Sequence, residues 1–259
     1  MTVLLLRLAG PLQSWGSAAR FARRSTENAP TKSGVLGLLA AAQGRPRNAD
    51  LSDLATLRFG VRIDQPGTRL RDFHTAHHAD SGKAMPLSER FYLTDAVFVA
   101  GLEGEPALLQ RLHQALLTPH FLPYLGRRSC PPSLPLAMSP PQDNTTLEEA
   151  LRAADWQASA WYRRQRARTA RNNRGPIAPE SLDILIDCPP AEVPHHSLRD
   201  TPVSFDPRHR RYALRGVRTD QTTLPLQHAA TPQHDPTTSL RPLHSPASTS
   251  TAEDSPRTP

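Results

Sequence analysis

Residues 124–131 combine side chains that are frequent in RNA contacts. The guanidinium groups of Arg127 and Arg128 can each bind a phosphate through two hydrogen bonds, and the ring of Tyr124 can stack on a base. Gly126 has no side chain and therefore lets a nucleic-acid backbone come close. A solvated basic turn has the same composition, so the segment predicts either an RNA contact or an exposed turn.

Residues 31–34 form a second candidate binding point, directly before an apolar segment of helical character. The first amides of a helix and its dipole attract anions, and here Lys32 and the hydroxyls of Thr31 and Ser33 stand beside them. Gly34 would again allow close approach. Threonine and serine are also ordinary helix caps, and without a partner motif the capping role is the favoured interpretation.

A polar segment between two predicted strands carries a cluster of histidines, acids and one lysine. Its members are Asp72, His74, His77, His78, Asp80 and Lys83. A metal site needs three or four ligands in one geometry, and the spacing offers no companion ligand pair, so we expect no metal here. General acid–base chemistry on a ribose 2′-hydroxyl is chemically possible, and a plain polar hairpin is the simpler alternative.

Residues 163–174 contain six arginines and no acid, and Trp156, Trp161 and Tyr162 precede them. This pattern fits a nucleic-acid contact strip and equally fits a solvated basic linker. The neighbouring aromatic residues are more often part of a core than a stacking platform. The sequence leaves the function of this segment open.

The overall composition favours a polyanionic partner. The chain has 259 residues, a formal net charge of +7 and a pI near 10.2, with 29 arginines and only two lysines. Arginine binds phosphates bidentately, although a GC-rich genome would also replace lysine by arginine. Cys130 and Cys188 lack metal or disulfide-scaffold spacing, and the apolar start is too short for a signal peptide or a membrane span, so we expect a cytoplasmic protein.

The elements that must position these residues alternate between strands and helices. Apolar patterning predicts strands at 3–8, 58–64, 69–75 and 91–101 and helices at 35–42 and 106–117, with a last strand near 124–130 or beyond. This order is compatible with an α+β, ferredoxin-like (RRM-like) βαββαβ domain over 1–139. Residues 140–219 form a smaller β-containing extension with strands at 183–188 and 211–218, and 220–259 is predicted to be a disordered tail.

Four ordered motifs resemble the CasD family. They are LRLAGPLQSWG at 6–16, PTKSGVLGLL at 30–39, LRDFHT at 70–75 and PYLGRRSCP at 123–131. The resemblance covers residues 3–135 well and 183–218 loosely. It does not cover the tail or the stretch 140–182.

The resemblance implies a non-catalytic RNA-binding subunit of a type I-E CRISPR Cascade complex, without metal or cofactor. Such a subunit binds the 5′ handle of the guide RNA (crRNA), contacts the backbone and large subunits, and meets target DNA only indirectly. Its thumb hairpin would be residues 74–90. The implied RNA-binding residues are Gln13, Ser14, Trp15, Gly16, Arg24, Thr31, Lys32, Ser33, Gly34, His74, Tyr124, Arg127, Arg128 and Ser129.

Two other functions are compatible with the residues. One is a metal-independent endoribonuclease that cuts the CRISPR repeat, for which His74, Lys83 and Tyr92 are the only plausible catalytic set. The other is a scaffold protein whose basic surface only holds neighbouring subunits. A steep loss of RNA affinity with salt would separate RNA binding from scaffolding.

Overall fold

The computed structural model describes residues 1–17, 23–172, 181–206, 208 and 210–223. The strands are β1 (Thr2–Ala9), β2 (Leu12–Gln13), β3 (Arg23–Arg24), β4 (Arg58–Gln65), β5 (Thr68–His74), β6 (Ser88–Thr94), β7 (Val97–Gly104), β8 (Gln142–Asp143), β9 (Ser181–Asp187), β10 (His196–Ser204) and β11 (Arg211–Thr223). The helices are α1 (Lys32–Ala42), α2 (Ser52–Ala55), α3 (Pro106–Leu117), α4 (Leu147–Ala153) and α5 (Ala160–Asn172).

A seven-stranded antiparallel sheet forms the centre of the molecule, in the order β10-β11-β9-β4-β7-β1-β8. Side chains alternate between the two faces of a strand. In β1, apolar side chains on both faces pack in a core. Leu4, Leu6 and Leu8 lie in the core that α1 and α3 share, whereas Val3 and Leu5 lie in a second core against α4. The apolar run at the N-terminus is therefore a central strand between two layers of helices.

The predicted strand near 124–130 is wrong. These residues form turns, and Gly126 has φ of +86°, a conformation that a strand does not contain. The edge of β1 is instead occupied by β8, with Thr2 opposite Asp143, and by a single bridge between Leu6 and Ala137. The segment that carries the arginines is consequently a loop beside the sheet.

The C-terminal strands continue the main sheet. β9 pairs with β4, with Val61 opposite Leu185, and β11 pairs with β9 along its second half. β11 extends to Thr223, so the start of the predicted tail, 220–223, is an ordered strand. The rest of the predicted tail, 224–259, lies outside the described residues.

A second, smaller sheet contains the hairpin of β5 and β6. These strands pair from Thr68 opposite Thr94 to His74 opposite Ser88, and β2 and β3 flank β6. The connection, 75–87, carries one further bridge between His77 and Ala84, and its side chains are exposed. The polar segment of the sequence is therefore the distal part of a β-hairpin.

A buried ion pair connects the main sheet to the chain after α4. Arg62 and Asp64, neighbours on one face of β4, are 2.7 Å apart, and both side chains are fully buried. Arg62 also donates to the carbonyl oxygens of Leu151, Ala154 and Asp155. Burial raises the pKa of Asp64, although Arg62 counteracts this. The pair thus holds the end of α4 against the sheet.

Replacing Arg62 by methionine should destabilise the protein by about 3–5 kcal/mol, because Asp64 and three carbonyl groups would stay buried without their donor. Urea unfolding of Arg62→Met measures the loss. Arg111→Met, on the exposed side of α3, removes the same charge from the surface and should change the free energy of unfolding by less than about 0.5 kcal/mol. Equal stabilities of the two variants would contradict this role of the pair.

Candidate nucleic-acid interface

A basic groove of about 1480 Å³ brings four distant parts of the chain together. Its walls are the loop after β1, one side of α1, the loop after α3, and the β10–β11 hairpin. Seven arginines of the described chain line it: Arg24, Arg45, Arg47, Arg127, Arg128, Arg199 and Arg210. Among the described residues, no aspartate or glutamate lines this groove. A concave surface of one sign concentrates the opposite charge, so the groove is suited to a polyanion.

Hydrogen bonds within its own backbone hold the loop at 124–131 together. The amide of Leu125 donates to the carbonyl of Cys130 at 2.7 Å, and the amide of Cys130 donates to the carbonyl of Arg127 at 2.9 Å. Leu125 and Cys130 are fully buried, and burial raises the pKa of the Cys130 thiol. Two buried side chains therefore anchor a tight loop that presents Arg127 and Arg128.

Gly126 allows this loop to contact the loop after β1 at very short range. Its φ is +86°, and a Cβ atom on it would lie 1.7 Å from the carbonyl oxygen of Ser14. The amide of Ser14 in turn donates to the carbonyl of Leu125 at 3.1 Å. Only glycine fits at this position, and it joins two walls of the groove.

Two contacts hold the guanidinium group of Arg127 in place. Its Nη2 donates to the carbonyl of Arg24 at 2.9 Å, and its Cζ lies 4.8 Å from the centre of the Tyr92 ring. Its Nη1 is buried, and no described residue accepts a hydrogen bond from it. The Arg127 guanidinium group is thus held in the wall of the groove and contributes a fixed positive charge to it.

Five of these arginines are exposed and form no ion pair with a described acid: Arg24, Arg47, Arg128, Arg199 and Arg210. Arg45 differs, because it forms a bidentate pair with Asp53 at 2.7 and 2.5 Å. The hydrogen bond from Arg45 lowers the pKa of the Asp53 carboxyl group. The guanidinium group of Arg45 is thus engaged within the protein, whereas the exposed five are the ones that can contact a ligand.

Gln13 and Trp15, predicted to contact RNA, are buried and bond within the protein. The Gln13 amide donates to the carbonyls of Leu8 and Ala96, and its oxygen accepts from Trp15 Nε1 at 3.0 Å. The Trp15 ring packs so closely on Gly34 that a Cβ atom there would lie 2.8 Å from it. Both side chains position the loop, and the buried Ser14 and exposed Gly16 beside them line the groove.

The helix start at 31–34 is not a free anion-binding site, because groups of the protein already occupy it. Thr31 caps the helix by accepting from the Gly34 amide at 3.3 Å, as in the capping interpretation. The Lys32 amide donates to Asp200 at 2.8 Å, and Lys32 Nζ lies 3.0 Å from Asp187 in a buried pair. Thr31, Ser33 and Gly34 line the groove, but the Lys32 side chain points into the protein.

Of the other predicted residues, Tyr124 lines the groove, whereas the exposed Ser129 and His74 do not. His74 lies at the end of β5 and contacts Asp72 at 3.0 Å. In the hairpin register His74 is opposite Ser88, four residues or about 14 Å along β6 from Tyr92. Tyr92 is buried under Arg127, so the residues proposed for an endoribonuclease do not converge on one bond.

The sequence did not single out the residues of the β10–β11 hairpin that line the groove, which are Arg199 in β10, Phe205 and Arg210 between the strands, and Tyr212 in β11. Phe205 approaches α1 at Gly37, where a Cβ atom would lie 3.5 Å from its ring, and its ring centre is 6.2 Å from that of Tyr212. Only the loose resemblance over 183–218 pointed to this region. The contact of Phe205 with Gly37 of α1 joins residues more than 160 positions apart in the sequence.

Within the described part of the chain, no group of three or more His, Cys, Asp or Glu side chains could hold a metal ion. None of the helices described is long and apolar enough to cross a membrane.

Comparison with known proteins identifies the family. The family model described as "CRISPR-associated protein (Cas_Cas5)" matches residues 3–218. The "CRISPR system Cascade subunit CasD" of Escherichia coli (strain K12) is 40% identical, over 51% of this chain and 68% of that protein. The chain belongs to the CasD/Cas5 family. The resemblance inferred from four sequence motifs is thereby confirmed.

Two solved structures extend the likeness to the fold. One, titled "Crystal structure of Cas protein", is 40% identical with a TM-score of 0.64 and covers 85% of this chain and 95% of its own. Another, a chain of a "CRISPR RNA-guided surveillance complex", is 31% identical with a TM-score of 0.71, over 90% of this chain and 95% of its own. The mixed α+β architecture with antiparallel sheets is thus that of CasD/Cas5 proteins.

Replacing Gly126 by alanine should destabilise the protein by at least about 1–3 kcal/mol, since the added methyl group would collide with the Ser14 carbonyl and the backbone would be strained. Thermal unfolding measures the change. Gly82→Ala is the matched control, because that glycine also has a positive φ (+64°) but no atom lies within 4 Å of its Cβ position. A Gly126→Ala protein as stable as the Gly82→Ala protein would contradict the close approach of the two loops.

Proposed function

We propose that this chain is a non-catalytic RNA-binding subunit of a Cascade-type surveillance complex and that its groove binds the 5′ handle of crRNA. The observation that carries the proposal is the convergence of five exposed arginines and one anchored arginine in a single concave surface without acids among its described lining residues. The names of the relatives, a Cascade subunit and an RNA-guided complex, support the same conclusion.

The residues of the groove divide the task between charge and stacking. Arg128, Arg199 and Arg210 supply guanidinium groups for phosphates, and the anchored Arg127 adds a fixed positive charge. Tyr124 is half-buried in the wall and can present its ring to an unpaired base. Single-stranded RNA, whose bases and phosphates are both accessible, fits this combination better than a duplex.

We assign the core to the ferredoxin-like class. The elements β1, α1, β4, β7, α3 and β8 follow one another in the βαββαβ order, and their strands lie in the order β4-β7-β1-β8. The fourth strand is only two residues long. β8 lies just beyond the predicted boundary at 139, so the core ends after Asp143, and β9, β11 and β10 extend its open edge at β4.

The β5–β6 hairpin would serve as the thumb and as a contact for neighbouring subunits in the cytoplasm. Phe73, Met85 and Leu87 on it are 65%, 48% and 51% exposed, which is costly for apolar side chains without a partner. Backbone and large subunits of the complex are the proteins that would cover them. Target DNA would be met only through the assembled complex.

Replacing Arg128 and Arg199 by alanine should weaken binding of handle-bearing RNA without destabilising the protein, because both side chains are exposed. Loss of two phosphate contacts lowers the slope of log affinity against log salt by about 1.4 for single-stranded RNA. Filter binding at several salt concentrations measures this slope.

Arg111→Ala is the control for this experiment, as it removes one exposed charge from α3, outside the groove. Wild-type affinity and an unchanged slope in the Arg128→Ala/Arg199→Ala protein would exclude the groove as the RNA site. A flat salt response of the wild-type protein would favour the scaffold function.

The purified chain should leave labelled CRISPR repeat RNA intact in EDTA, because His74 and Tyr92 are too far apart to act on one phosphodiester. Denaturing gels over a time course test this. Site-specific cleavage that is lost in His74→Ala would contradict the non-catalytic assignment.

A further inference from the structure

The outer side of α5 carries exposed residues that the groove does not use. Trp161, Arg164 and Arg168 are spaced i, i+3 and i+7, so they share one side of the helix. Trp161 is 48% exposed, and both arginines are exposed. None of the described residues of α5 lines the groove. This surface, the α5 face, is therefore separate from the proposed handle site.

The opposite side of α5 is held by aromatic contacts. The Trp156 ring lies 6.4 Å from that of Tyr162, and the guanidinium groups of Arg163 and Arg166 lie 5.8 and 5.9 Å from these two rings. Arginines on one side of the helix thus pack on the protein, whereas those on the α5 face point outward.

The start of α5 is attached to the main sheet. Trp156 Nε1 donates to the carbonyl of Asp64 at 3.0 Å, the Gln157 amide donates to the Asp64 carboxylate at 2.6 Å, and the Ser159 amide donates to Gln65 at 3.0 Å. Asp64 is itself locked in the buried pair with Arg62. The α5 face is consequently presented by a positioned element.

The charged side chains of α5 are all positive. The helix sequence, AWYRRQRARTARN, contains no aspartate or glutamate, so the repulsion between Arg164 and Arg168 at i and i+4 is not offset within the helix. A helix that only faces water usually alternates the signs of its charges. The combination of one sign of charge with an exposed indole ring is the arrangement by which proteins hold single-stranded nucleic acid.

We propose that the α5 face is a second nucleic-acid site, which binds a single strand without sequence preference. Trp161 stacks on a base, and Arg164 and Arg168, one and two turns further along the helix, bind phosphates on the C-terminal side of that base. A duplex would fit less well, because its bases are already stacked on each other and cannot reach the indole ring. The site goes beyond the proposed handle binding and does not depend on it.

The test uses the full chain and fluorescein-labelled oligothymidylate and oligouridylate of about 20 nucleotides, longer than common single-strand footprints. We expect Trp161→Ala to weaken binding at least about fivefold and Trp161→Phe to retain most of the affinity. Arg164→Gln/Arg168→Gln should lower the salt slope by about 1.4, whereas Arg111→Gln should leave it unchanged.

Tryptophan fluorescence gives a second readout. Trp15 is fully buried and Trp156 is 8% exposed, so quenching by the oligonucleotide should come from Trp161 and disappear in Trp161→Phe. The Arg128→Ala/Arg199→Ala protein should keep this quenching even as it loses handle affinity, which separates the two proposals. The α5 site would be overturned if the α5 variants bound the single-stranded oligonucleotides with wild-type affinity. It would also be overturned if these variants lost affinity for duplex DNA alone.

Discussion

A buried cluster of two positive and two negative charges connects the C-terminal strands to the start of α1. Lys32 contacts Asp187, and Arg215 contacts both Asp187 and Asp200, at distances of 2.7 to 3.0 Å. Asp200 also accepts from the first amide of α1. Burying charges is costly unless each is paired, and here each of the four has an opposite partner. Asp187 also accepts a hydrogen bond from the Phe59 amide. The groove exists because this cluster keeps β10 and β11 beside α1.

The cluster also changes how the helix start should be understood. A helix N-terminus attracts an anion, and in this protein the anion is the carboxylate of Asp200, 168 residues away from Lys32 in the sequence. The positive charge for an external ligand comes instead from arginines around it, such as Arg199 next to Asp200 and Arg128 on the facing loop. Internal charges thus shape the groove, and exposed ones are available to its ligand.

Local patterns predicted β1, α1, β4, β5 and α3, because apolar periodicity and capping residues act over a few positions. Residues 91–101 were predicted as one strand, but Asp95, with φ of +54°, separates β6 from β7. The segment 124–130 was predicted both as a basic turn and as a strand, and only the turn is present. The sequence could not show that Gln13 and Trp15 support the loop from inside, as their partners Ala96 and Gly34 are distant. Nor could it place Arg199 and Phe205 in the groove, because that depends on pairing between β4 and β9. The motifs identified important residues, but they did not show whether a residue binds the ligand or positions its neighbours.

Crosslinking shows most directly whether the RNA lies in the groove. Ultraviolet irradiation of the full chain with handle-bearing RNA, followed by mass spectrometry of the crosslinked peptides, maps the contact. We predict crosslinks at Tyr124 and at the aromatic residues Phe205 and Tyr212, which line the groove from opposite walls. Crosslinks confined to the hairpin or to α5, with none at these three residues, would contradict binding of the RNA in the groove.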